Sequence, residues 1–216
     1  MSGLVAHMPE PGPGVGVAWP EVPPAVLQQI VACAETLLID SAWAFAHVQQ
    51  VTRLALQLFD RTRELHSLAP EAQPLLQAAA LGHDIGYPHD PDRHHKQSYR
   101  RLRKALRPLA GDDLATLVAC TARYHRRALP KSKHGGFRRL GPEEQGVVER
   151  LAALLRIADG LDRAHLQRVR EVRSEVRPEL WRVIAIGAGP EELWGTQRKA
   201  NLAQRVFGRA VEIVEG

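Results

Sequence analysis

The sequence predicts a mainly α fold, a bundle of helices carrying a small C-terminal α/β appendage. Three observations carry this reading. From about residue 25 to 163, apolar residues recur at the three- and four-residue spacing of helices with one buried face. After about 165 the pattern becomes strand-like, through Val169, Val172 and Val176 and then Trp181, Val183, Ile184 and Ile186. Histidine and aspartate, finally, fall where an apolar helix should least want them: His47, His83-Asp84, His94-His95, His125 and Asp159.

Taken in chain order, residues 1–24 hold Pro9 to Pro13 and Pro20 to Pro24 with scattered glycine and almost no periodicity, the signature of a disordered or loosely packed tail. Helices are expected over 25–39, 41–66, 71–83, 95–108, 112–126 and 143–163. Pro70 and Pro74 limit the start of the third, Gly111 ends the fourth, and Pro130 with Gly135-Gly136 opens a loop before the sixth. In the strand-like stretch 166–188, Arg177-Pro178-Glu179 reads as the turn. A short helix at about 191–207 and a strand from Ala210 to Val214 complete the appendage. The expected organisation is therefore a tail (1–24), a helical domain (25–165) and an appendage (166–216).

An apolar fraction of 44% in 216 residues is enough for a real core. No apolar run reaches the roughly 18 residues a membrane span needs, and no basic-then-apolar leader opens the chain. Cys33 and Cys120 lie far apart within helical patterns and read as buried thiols, so a reducing cytoplasm is expected. The formal charge of +5 is carried mostly by arginine, with lysine only at 96, 104, 131, 133 and 199. Arginine suits planar, bidentate recognition of phosphate or carboxylate. Nucleic acid is a poor fit: aromatic residues are 5% of the chain and do not interleave with basic ones.

The histidines and aspartates share faces with apolar residues. His47 aligns with Val51, Leu54 and Leu58; His83 with Leu76 and Ala80; His125 with Leu114, Val118 and Thr121; Asp159 with Val148, Ala152 and Leu155. A lone histidine on such a face is usually a hydrogen-bonded core residue. Two inward aspartates are harder to dismiss, because an unpaired buried carboxylate is costly and neither helix face offers a nearby lysine. Imidazole and carboxylate suit divalent metals, so the pattern reads as a metal site inside a helical bundle.

The order His, His-Asp, Asp resembles that of the HD-domain metal-dependent phosphohydrolases, and the extra histidines resemble their dinuclear members. The segments AALGHDIGY, RHHKQS, ARYHRRALPK, LAALLRIADGLDRAH and ELWGTQRKANLAQRVFGR look like the C-terminal half of the exopolyphosphatase/guanosine pentaphosphatase (Ppx/GppA) family, over about residues 25–216. The resemblance implies an HD-type helical domain in which His47, His83, Asp84 and Asp159 hold one metal. Asp84 would then bridge to a second, held by His94 or His95 with His125. His94 is favoured, because His94-x-x-x-Ser98 matches the start of a ligand-bearing helix in this superfamily.

The departures are as informative. In that family phosphatase chemistry resides on an N-terminal actin-like domain with glycine-rich phosphate loops, and these 216 residues contain neither. Gln97 stands where the family often has a histidine. Tyr87 and Arg126 replace the Lys and second His of cyclic-dinucleotide phosphodiesterases, and Ile85-Gly86-Tyr87 replaces the Glu-Asp pair of alarmone hydrolases.

The expected activity is cleavage of a phosphate ester or anhydride of a small phosphorylated molecule, a nucleotide or short polyphosphate, by metal-activated water. Two divalent ions from among Mn, Fe, Mg, Co and Ni are expected, with Asp84, His94 and His95 as catalytic groups. No serine, cysteine or lysine nucleophile constellation competes. Arg100, Arg126, Arg127 and Lys131 are the candidate phosphate contacts, although the outer basic residues also fit a solvated face. A homodimer is one expectation, and the appendage could close the site, form a dimer, or do neither. The alternative function is a non-catalytic polyphosphate- or nucleotide-binding module that partners a separate exopolyphosphatase-like subunit.

Overall fold

The computed structural model describes residues 21–38 and 42–216. The expected tail therefore lies outside the described residues up to position 20. Its end does not stay loose: Val22 is buried and Pro24 begins the first helix, α1 (Pro24–Leu38). Proline suits this place because the first-turn N–H groups have no intrahelical partner.

The helical pattern forms α2 (Ala42–Arg61), α3 (Arg63–His66), α4 (Gln73–Gly82), α5 (His94–Arg123), α6 (Gly135–Arg139) and α7 (Pro142–Gly160). A single helix expected over 41–66 breaks at Thr62, whose hydroxyl donates to the Leu58 carbonyl at 2.6 Å and whose φ is −126°. The division expected at Gly111 is a sharp break inside α5, where φ is 77° and ψ 173°. The glycine-rich loop after Pro130 contains one short helical turn, α6.

α7 occupies the middle of the bundle and packs against α2, α4, α5, α8 and α9. Accordingly every residue from Leu151 to Gly160 is buried. Its start is fixed by Pro142 and by Glu144, whose carboxylate accepts from the Gly141 N–H at 2.7 Å. Among the described residues, no helix is long and apolar enough to cross a membrane.

The appendage is a three-stranded sheet with two helices. β1 (Glu171–Val176) and β2 (Leu180–Ile186) form an antiparallel hairpin, with Val176 opposite Trp181. β3 (Ala210–Glu215) runs parallel to β2, placing Trp181 beside Val211. The crossover needed by that parallel pair is supplied by α8 (Pro190–Lys199) and α9 (Asn201–Phe207), two helices where one was expected. Val172, Trp181, Val183, Ala185, Val211 and Ile213 are buried.

The appendage is tied closely to the bundle. From α2, Gln50 and Arg53 each donate to the Val169 carbonyl at 2.6 Å. α8 approaches α7 so closely that a Cβ at Gly160 would lie 2.6 Å from the Thr196 Cα. Only glycine permits that spacing. Gly160→Val is expected to destabilise the chain by about 1–3 kcal/mol in urea unfolding. An unchanged midpoint and slope would mean that α8 does not press on α7.

Candidate metal centre

Four parts of the bundle present the site. His47 sits in the second turn of α2 on the buried face it shares with Val51, Leu54 and Leu58. His83 and Asp84 follow the end of α4, and His94 opens α5. His125 lies just beyond α5, and Asp159 is in the last turn of α7. The His83-Asp84 turn rests on the first turn of α5, where the Gly86 N–H donates to Ser98 Oγ at 3.0 Å. A Cβ at Gly86 would meet the Ser98 nitrogen at 2.5 Å and the His94 carbonyl at 2.6 Å, so only glycine allows this seating.

The protons on these histidines follow from their partners. His83 Nδ1 lies 2.7 Å from the Ala80 carbonyl, His94 Nδ1 2.7 Å from Pro91, and His125 Nδ1 2.7 Å from Ala122. A carbonyl only accepts, so each Nδ1 carries the proton and donates. In the neutral ring, each Nε2 is then a free lone pair turned toward Asp84. His47 Nδ1 likewise donates to Asp162 Oδ2 at 2.8 Å.

Asp84 is shared between two sets of these nitrogens. Its Oδ1 faces His94 Nε2 at 3.2 Å and His125 Nε2 at 3.6 Å. Its Oδ2 faces His83 Nε2 at 3.7 Å and His47 Nε2 at 3.9 Å. Two buried triads result, His47–His83–Asp84 and Asp84–His94–His125, each with donor atoms close enough to hold one ion. Asp159 Oδ1 adds a carboxylate 3.5 Å from His47 Nε2.

These residues fit divalent metal better than they fit one another. His94 Nε2 and His125 Nε2 stand 3.1 Å apart, and burial holds both imidazoles below their usual range and therefore neutral. Two lone pairs facing at that distance repel unless a cation lies between them. His83 Nε2 and Asp84 Oδ1 are buried without a hydrogen-bond partner. Burial works against the Asp84 carboxylate, but the imidazoles of His83, His125, His94 and His47 hold its pKa below the ordinary range. Burial likewise opposes charge on His47, yet its hydrogen bonds to the Asp159 and Asp162 carboxylates together raise its pKa to about 9. Without a competing cation, His47 is protonated at neutral pH.

A family model for the Ppx/GppA phosphatase, domain III, matches residues 31–179. The chain belongs to this family. No curated protein matches the chain.

In this Ppx/GppA domain III chain the triads open into a cleft of about 540 Å³. Arg126 and Arg127 line it, and Arg126 Nη1 lies 3.2 Å from His94 Nε2. Two other expected phosphate contacts do not reach it: Arg100 and Lys131 are exposed and absent from its walls. His95 is buried beside the triads but outside them, its ring centroid 6.2 Å from that of His94. Burial, then the neighbouring His94 and Arg126, lower its pKa to about 4. Cys120 is buried as expected, whereas Cys33 is only half-buried.

Sequence reasoning missed several residues. The absence of a lysine near the inward aspartates holds for their own helices only, because Lys199 of α8 reaches across and pairs with Asp159. That pairing and the His47 hydrogen bond outweigh burial and keep the Asp159 carboxyl well below its usual range. α8 also gives the cleft Trp194, Gly195 and Arg198, so the appendage forms one of its walls. Asp162, which orients His47 and accepts from the Gln167 N–H at 2.8 Å, had one available signal: it stands three residues after Asp159. His165 packs against His47 with ring centroids 4.3 Å apart. Like cleft-lining Arg127 it has positive φ, 57° in each case.

Binding of a divalent ion must displace the proton from His47. Affinity is therefore expected to rise with pH toward about 9, and uptake at pH 7.5 to release about one proton per His47. Calorimetry in two buffers of different ionisation heat reads that proton, and equal heats would contradict the assignment. Asp162→Ala frees the His47 ring and is expected to weaken metal binding by about 10–100-fold. Unaltered affinity would show that Asp162 does not orient a ligand.

Proposed function

We propose that this chain is a metal-dependent phosphohydrolase that cleaves a phosphate ester or anhydride of a small phosphorylated molecule, a nucleotide or short polyphosphate. The observation that carries this is Asp84: one buried carboxylate divides its two oxygens between His47–His83 and His94–His125. A carboxylate so divided suits two ions more readily than one. Asp159 completes the first ligand set through its place beside His47. Ions of the Mn, Fe, Mg, Co or Ni type, held there, supply a Lewis acid and a water acidic enough to attack phosphorus near neutral pH.

The protein's own residues do the rest. The Nδ1 hydrogen bonds fix each imidazole, so the donor atoms are set before substrate arrives. Arg126 and Arg127 stand at the cleft wall next to His125 and offer charge-assisted hydrogen bonds to phosphoryl oxygens. His165, in the cleft wall, is the imidazole outside the two triads placed to meet the leaving oxygen, whereas His95 lies outside that wall with its pKa lowered to about 4 and is not placed to protonate it.

The experiment is metal analysis of protein purified without chelator or nickel, followed by phosphate-release assays with nucleotides, polyphosphate and simple esters. About two metal equivalents per chain and turnover are expected. Asp84→Ala is expected to remove both while far-UV circular dichroism stays helical. Turnover persisting in that variant sinks the hydrolase reading. No metal uptake and no hydrolysis would favour a polyphosphate- or nucleotide-binding module.

A further inference from the structure

Arg156 of α7 is one of the largest charged side chains in the core. It is 3% exposed, yet it lines the cleft. Standing three residues before Asp159, it projects from the same helix face toward the site. Among the described residues its only hydrogen bond runs from Nη2 to the Arg127 carbonyl at 3.3 Å, and that carbonyl belongs to a residue held at φ 57°. Nε and Nη1 are buried and have no partner.

Among the described residues no carboxylate lies within salt-bridge distance of Arg156. Asp159, the nearest candidate on its helix, is paired with Lys199 instead. A buried guanidinium with two idle nitrogens and no counter-ion is among the costliest arrangements a core can hold. Burial depresses its pKa to about 10, so it still carries its charge at neutral pH. Arg126, Arg127, Arg163 and Arg198 line the same cleft and add positive charge to it.

We propose that Arg156 is an oxyanion receptor that gives up the long Nη2 bond to the Arg127 carbonyl and turns its Nη1–Nη2 fork on a phosphoryl group in the cleft beside the His/Asp triads. Adjacent guanidinium nitrogens match two oxygens of a tetrahedral phosphate, which a lysine at this place would not. The inference rests on the phosphohydrolase reading for its choice of oxyanion, and on the geometry of Arg156 for the site itself. Arg156 thus comes from the central helix that also carries Asp159, rather than from the basic stretches around His94 and His125.

The test is calorimetric titration of inorganic phosphate into the full chain after chelation, against chloride at matched ionic strength. Wild type binds phosphate, and Arg156→Met weakens that binding by about tenfold or more. Arg177→Met, an equal charge change on the exposed hairpin turn, leaves it unaltered. The melting temperature of Arg156→Met without phosphate stays level or rises, because an unsatisfied buried cation has been removed. Should Arg156→Met not fold, Arg156→Lys keeps the charge, loses the fork and still shows weakened binding.

Phosphate binding that is absent in wild type, or equal in wild type and variant, overturns the proposal. So does a lower melting temperature in Arg156→Met with phosphate affinity intact, which makes the residue a strut for the Arg127 carbonyl. The two readings fail separately. Arg156-dependent phosphate binding without hydrolysis keeps this site and removes the hydrolase, whereas hydrolysis whose phosphate inhibition is indifferent to Arg156 does the reverse.

Discussion

Burial of the Asp84 carboxylate among four imidazoles is the constraint around which the bundle is arranged. Such a group is tolerable only if each imidazole presents the correct nitrogen, and the fold achieves this in two ways. His83, His94 and His125 each donate from Nδ1 to the carbonyl three residues earlier. Each lies at or just beyond the end of a helix, where such a carbonyl is free or can be shared. His47 is inside α2, where the helix occupies its own carbonyls. A carboxylate from elsewhere in the chain, Asp162, takes that part.

The same constraint explains the packing around it. The Gly86 backbone lies on α5 because the His83-Asp84 turn must bring Asp84 against His94. Gly160 admits α8, and α8 carries Lys199 to Asp159. The chain's own groups thus balance these aspartates with His47 on one side and Lys199 on the other. Both are groups that a divalent ion would displace or outcompete.

The appendage belongs to the site in a physical sense. β1, β2 and β3 bury one face, and α8, carried on that sheet, supplies a wall of the cleft opposite Arg126 and Arg127. The left-handed residues Arg127 and His165 both lie on this cleft. Backbone held in that region costs energy that the surrounding packing must offset, and such residues gather where side chains have to be aimed.

Helical periodicity and punctuation were enough to place the bundle, the hairpin turn at Arg177–Glu179 and the break at Gly111. These depend on residues within a few positions of each other, which is what a sequence displays. The inward faces of His47, His83, His125 and Asp159 were legible for the same reason, since three- and four-residue spacing fixes a helix face. The pairing of Asp84 with two separate histidine sets, and the choice of His94 over its neighbour His95, came from the family resemblance and not from local spacing. Consecutive helical residues point about 100° apart, and only the docking of α4 on α5 decides which one meets Asp84. Lys199 and Arg156 carried no local mark, and Asp162 only its place three residues after Asp159. Lys199 acts across 40 residues and Asp162 across 115, and Arg156 reads as an ordinary charged residue until the helices around α7 close over it. The sequence by itself determined which residues could turn inward. The tertiary structure decided which of them meet, because contact between helices depends on crossings and close approaches that no local spacing encodes.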